Sequence, residues 1–109
     1  MNEQQVEQEI KCKGLNAPRI TPEHIDALMA ASDIKFHHFP GTTTTVCLVI
    51  LPNGFTVTGT SACASPENFD ADLGKKIAAN EARGKLWQLE GYLLRDRLHT
   101  HTMTAVKAR

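Results

Sequence analysis

The residues able to do chemistry in this chain are few and scattered. Three cysteines, Cys12, Cys47 and Cys63, form no CxxC pair, and their odd number implies neither a zinc knuckle nor a disulfide framework. Each reads first as a free thiol used as a small hydrophobe. Cys63 stands two residues before a helix N-cap, where a thiolate is favoured, but acids in that first turn oppose it. His37 and His38 are adjacent, so on a strand they face opposite ways and cannot chelate together. His99 and His101 lack a third ligand. There is no phosphate-binding loop, no GxGxxG, no GxSxG, no HExxH and no carboxylate-rich metal loop. The residues therefore imply no catalytic group, no metal and no cofactor. An enzyme built on Cys63 or Cys47 ranks behind a binding protein.

The stretch best suited to hold a ligand is "TGTSACASPEN". It strings Thr58, Thr60, Ser61, Ser65 and Asn68 along the passage from a strand to a helix. Backbone N–H groups at such a junction can hold an anion or the polar edge of a small molecule. Lys75, Lys76 or Arg83, from the same or a neighbouring chain, would assist. Capping of the helix alone is the simpler role for this segment. On the helix those cations interleave with Glu67, Asp72 and Glu81, as on a solvated face.

The elements that must position these residues follow from local patterns. "ITPEHIDALMAASD" predicts a helix with Thr21 as N-cap, Pro22 at the first helical position and an Ile20–Ile25 staple. It ends near Ser32–Asp33. "IKFHHF" reads as a first strand, and Thr43 to Leu51, β-branched and apolar, as a second. Asn53-Gly54 predicts a two-residue hairpin loop of type I′. In that register Val46, Leu48, Ile50, Phe55 and Val57 form the core face. Thr43, Thr45, Cys47, Val49, Leu51, Thr56, Thr58 and Thr60 then gather on the opposite face. Together with Trp87 and Tyr92 they are the candidate interface of an oligomer.

A dominant helix is predicted from Pro66 to about Leu98, capped by Ser65. Phe69, Leu73, Ile77, Gly84, Trp87, Gly91, Leu94 and Leu98 mark its apolar stripe. Gly74, Gly84 and Gly91 each cost roughly 1 kcal/mol relative to alanine. At 1.5 Å per residue the helix would run roughly 50 Å and overhang so small a sheet. The expectation is a kink near Gly84, a partner chain, or both. The fold class is α+β: a short N-terminal helix, a three-stranded antiparallel β-meander, and a long C-terminal helix packed on one sheet face. The chain reads as one domain, with residues 1–19 a flexible arm and linker, 20–98 the globular core and 99–109 a mobile tail.

Lys+Arg and Asp+Glu are both 12, so the net charge is zero, which argues against general nucleic-acid binding. No apolar run approaches the roughly 18–20 residues that span a bilayer. The start, "MNEQQVEQEIKCKG", lacks the pattern of a signal peptide, so a cytoplasmic, non-membrane protein is expected.

"FPGTTTTVCLVILPNGFTVTGTSAC", followed by "NFDADLGKKIA" and "LWQLEGYLLRDRL", resembles the Gp49-like family of small accessory proteins of tailed phages and prophages. The founding members are gene products of an N-four-type coliphage and a Shigella phage. The resemblance covers roughly Ile20 to Leu98. It implies a phage or prophage origin and action inside the bacterial cytoplasm, and it brings no activity and no catalytic residues. The leading expectation is a non-enzymatic accessory protein, a homo-oligomer that binds a host protein. The alternative is a protein that sequesters a small anionic ligand such as a nucleotide at Thr58–Asn68.

Overall fold

The computed structural model describes residues 2–107, with side chains for 2–102. Helix α1 spans Glu3–Cys12 and α2 spans Pro22–Ala31. Strands β1 (Asp33–His38), β2 (Thr44–Ile50) and β3 (Thr56–Ala62) follow, and α3 (Ala71–Lys107) closes the chain. The strands form one antiparallel sheet in the order β1-β2-β3. This is the expected α+β meander with a long C-terminal helix.

Local chemistry explains where the elements begin. Thr21 Oγ1 accepts from the His24 N–H at 3.1 Å, with Pro22 opening α2. The first residues, whose sequence leaves open an arm or a short helix, carry α1. Asn2 Oδ1 accepts from Gln5 N–H at 2.8 Å and Gln5 Oε1 accepts from Asn2 N–H at 2.9 Å, a reciprocal capping box.

The hairpin differs from expectation by one residue. Leu51 N–H donates to Phe55 O and Gly54 N–H to Leu51 O, both at 2.8 Å. Gly54 has φ +90°, whereas no residue other than glycine has a positive φ among those described. A type I′ turn would need positive φ at Asn53 as well. The loop is therefore the three residues Pro52–Gly54: a type I turn with Pro52 in its preferred position, then glycine in the left-handed region. Val49 consequently faces Val57, Cys47 faces Gly59 and Leu48 faces Thr58.

That single residue turns β2 over. Thr45, Cys47 and Val49 are buried with Val57 and Gly59, while Val46, Leu48 and Ile50 lie half-buried on the other face. Of the predicted core face only Val57 is in the core; Phe55 is 54% exposed.

Helix α3 departs from expectation in its cap, its length and its buried stripe. Ser65 makes no side-chain cap; Pro66–Asn68 is a single 3-10 turn, and Asp70 Oδ1 caps α3 by accepting from Leu73 N–H at 2.9 Å. The helix then runs unbroken through Gly84 and past Leu98 to Lys107. Its buried stripe is Gly74, Ala78, Ala82 and Leu86, spaced by four, whereas Leu73 and Ile77 are about half exposed. Small residues face the sheet because helix and strand nearly touch. A Cβ on Gly59 would overlap the Ala78 carbonyl oxygen and lie 2.5 Å from the Ala82 nitrogen. Ile25 of α2 completes this core.

Candidate functional site

The strand-to-helix junction does not gather the residues expected there. Strand alternation puts Thr58 and Thr60 on one face and Ser61 on the other. Thr60 Oγ1 reaches over the edge towards Glu81 Oε2 at 3.5 Å, and the Thr58 carbonyl accepts from Lys85 Nζ at 2.6 Å. Ser61 and Asn68 do meet, with Cys63, Phe69 and Asp70, around a cavity of about 40 Å³. That volume holds roughly one water, and the Asp70 carboxylate disfavours an anion. Ser65 is exposed, and its carbonyl accepts from Cys63 Sγ at 3.3 Å. Lys75 stands 5.9 Å from the Phe36 ring centroid, and Lys76 is exposed. A more open cleft of about 580 Å³ separates the Gly41–Thr44 turn from Cys63, Pro66 and Phe69. His38 stacks on Phe69 at its edge, with ring centroids 4.7 Å apart.

Arg83 serves a different purpose from the ligand role expected of it. Its Nε and Nη2 donate to Glu3 Oε2 and Oε1 at 3.0 and 2.7 Å, a bidentate pair. Its Nη1 donates to Asp26 Oδ1 at 2.7 Å. Trp87 Nε1 adds a hydrogen bond to Glu3 Oε2 at 3.2 Å. The Arg83 hydrogen bonds hold the Glu3 carboxyl below its ordinary range, against the opposing effect of partial burial. One guanidinium thus ties α1 and α2 to α3. Beside it, buried Glu7 pairs with Arg19, Nη1 to Oε2 at 3.1 Å and Nη2 to Oε1 at 2.6 Å.

The residues expected at an interface divide. Thr45, Cys47 and Val49 are sealed beneath α3 and cannot meet a partner. Burial also pushes the Cys47 thiol up, which disfavours the thiolate a nucleophile needs. Thr43 Oγ1 donates to Cys63 O at 2.7 Å, and Leu51 packs half-buried against the core. Trp87 is half-buried over Glu3. Tyr92, 74% exposed, stands on the distal part of α3. Thr56, Thr58 and Thr60 do form an outer surface, and their cross-strand partners are Ile50, Leu48 and Val46. The uncovered face is thus an apolar central stripe edged by three threonines. On its far side lie Lys35 and His37, paired with Leu48 and Val46. Pro52 ahead of Asn53-Gly54 was the sequence signal for this arrangement, since proline suits the first central position of a type I turn.

These features define a small α+β chain whose sheet is covered on one side only and whose helices meet on one arginine. No helix among the described residues is long and apolar enough to cross a membrane. Residues 20–98 match the model of the Phage protein (N4 Gp49/phage Sf6 gene 66) family, and the chain belongs to that family. The match begins at the staple residue ahead of α2, contains the whole sheet and ends within α3; α1 lies outside it. Neither a curated protein nor a solved structure matches the chain.

Proposed function

We propose that the chain is a non-enzymatic phage or prophage accessory protein that acts in the host cytoplasm by binding a host protein. In this reading it works as a homo-oligomer joined through the free sheet face. The observation that carries it is the stripe Val46, Leu48 and Ile50, half-buried on a face that no helix among the described residues covers. Its threonine border on β3 is uncharged, and on the β1 border Lys35 Nζ lies 3.8 Å from Asp33 Oδ2, so the charges beside the stripe are paired with each other. The zero net charge of the chain adds no repulsion between copies. Stacked sheets pack about 10 Å apart with interdigitated side chains, and such a stripe suits that geometry.

Light scattering on the purified chain tests this. The expected mass is a multiple of 12.0 kDa. Leu48→Glu puts a charge in the middle of the stripe without touching the core, and is expected to return the mass to one chain with helical circular dichroism retained. A single-chain mass for the unaltered protein at every concentration overturns the oligomer, and an unchanged multiple in Leu48→Glu overturns the face.

A further inference from the structure

A second surface is already occupied, and its occupant lies outside the family match. On α1, Glu3, Val6, Glu7 and Ile10 fall at positions i, i+3, i+4 and i+7, one acidic and apolar face. That face meets Arg83 and Trp87 of α3, Pro22 of α2, and Arg19 and Ile20 just before α2. The acidic side chains meet the two arginines, and the apolar ones line one cavity with Ile20, Pro22 and Trp87. The fit is loose: a cavity of about 260 Å³ remains between them, and Val6 is 42% exposed.

We propose that this groove is a docking site for acidic amphipathic helices, filled here by α1 and open to exchange with a like helix of a host protein. The partner is specified by charge and spacing: a carboxylate at the first turn for Arg83, another four residues on for Arg19, and apolar side chains at the third and seventh positions after the first. Arg83 makes the demand strict. Its side chain is only 18% exposed, and without Glu3 its one remaining carboxylate among the described residues is the largely exposed Asp26. The occupant is also easy to displace. A ten-residue helix is marginal alone, and its tether, from Lys13 to Arg19, contains Gly14 at φ +67° and Pro18. The tether keeps α1 at an effective concentration of the order of millimolar, which a free helix must overcome by fitting the groove correspondingly better.

The inference rests on the protein-binding reading, but it does not depend on self-association. The probe is a labelled peptide carrying residues 2–13 with Cys12→Ser, titrated into the full chain and followed by anisotropy and by emission of Trp87, the single tryptophan. The chain is used unaltered and as Glu3→Gln/Val6→Ala, which loosens α1 without altering the groove. The peptide is expected to bind the loosened chain at least about tenfold more tightly than the unaltered one. The same peptide with Glu3→Gln and Glu7→Gln is expected to lose about tenfold. Absence of binding to the loosened chain up to about 1 mM peptide, or equal binding of the two peptides, overturns the groove. Because the readout does not use solution mass, the groove can fail while the oligomer stands, and the reverse.

Discussion

Gly59 determines how closely α3 lies on the sheet. Any side chain there must move helix backbone rather than a flexible side-chain end. Overpacking typically costs 1–3 kcal/mol, and Gly59→Ala is expected at about 3 kcal/mol because the backbone cannot yield cheaply. Gly84→Ala has the opposite expected sign. A Cβ at Gly84 meets nothing within 4 Å, and alanine is favoured in a helix interior by roughly 1 kcal/mol. Urea unfolding of both variants checks the pair; an equal response would mean that α3 does not sit against β3 as described. The glycines of α3 stand out in the sequence and Gly59 does not, because the demand on Gly59 comes from a helix some twenty residues downstream. Arg83 was hidden for the same reason. Its neighbours on the helix made it look solvated, while its partners Glu3 and Asp26 are 80 and 57 residues away. Local spacing does not reveal ion pairs of that separation.

The elements themselves were more legible than their faces. The cap of α2, the three strands and the meander order follow from short-range signals and were readable. The hairpin register was not, since Pro-Asn-Gly serves both a two-residue and a three-residue loop, and the difference of one residue exchanges the two faces of β2. The buried stripe of α3 differs from the one its large apolar residues predict, because the close packing selects Gly74, Ala78 and Ala82. Helix α1 raises a prediction of its own. The Glu3 carboxyl is held low when docked on Arg83 and returns towards its ordinary value near 4.5 when α1 leaves. A depressed acid favours docking fully above the undocked value and loses that contribution as pH falls through the docked one. Trp87 emission is therefore expected to change below pH 4.5 as α1 detaches. Asp26, also on Arg83, and Glu7, facing Arg19, are the other carboxylates at this contact. Glu3→Gln isolates the Glu3 share: it is expected to weaken α1 docking at neutral pH and to flatten the acid response. An acid response identical to that of the unaltered chain would show that Glu3 does not hold α1.

At the scale of the molecule, the long dimension belongs to α3. The chain extends 64 × 34 × 22 Å with a radius of gyration of 18.0 Å, against about 13 Å for a compact chain of this length. The sheet supports α3 through Gly74 to Leu86, and beyond Tyr92 the helix runs on past its end. An unsupported helical segment has little stability of its own, since most helical stability in proteins comes from tertiary packing. Amide exchange should therefore fall into a gradient along one continuous helix. Amides from Ala78 to Leu86 are expected to open only with the whole fold, at about 5 kcal/mol or more, and those of residues 99–102 with a free energy near zero. The measurement belongs on both the unaltered chain and Leu48→Glu. If residues 99–102 exchange fast in both, the sheet face alone joins the copies and the overhang is free for another partner. If they are protected in the unaltered chain and lose that protection in Leu48→Glu, the overhang is part of the same contact between copies. Protection that persists in a single-chain Leu48→Glu protein would overturn the gradient, because the distal helix would then be stable without any neighbour.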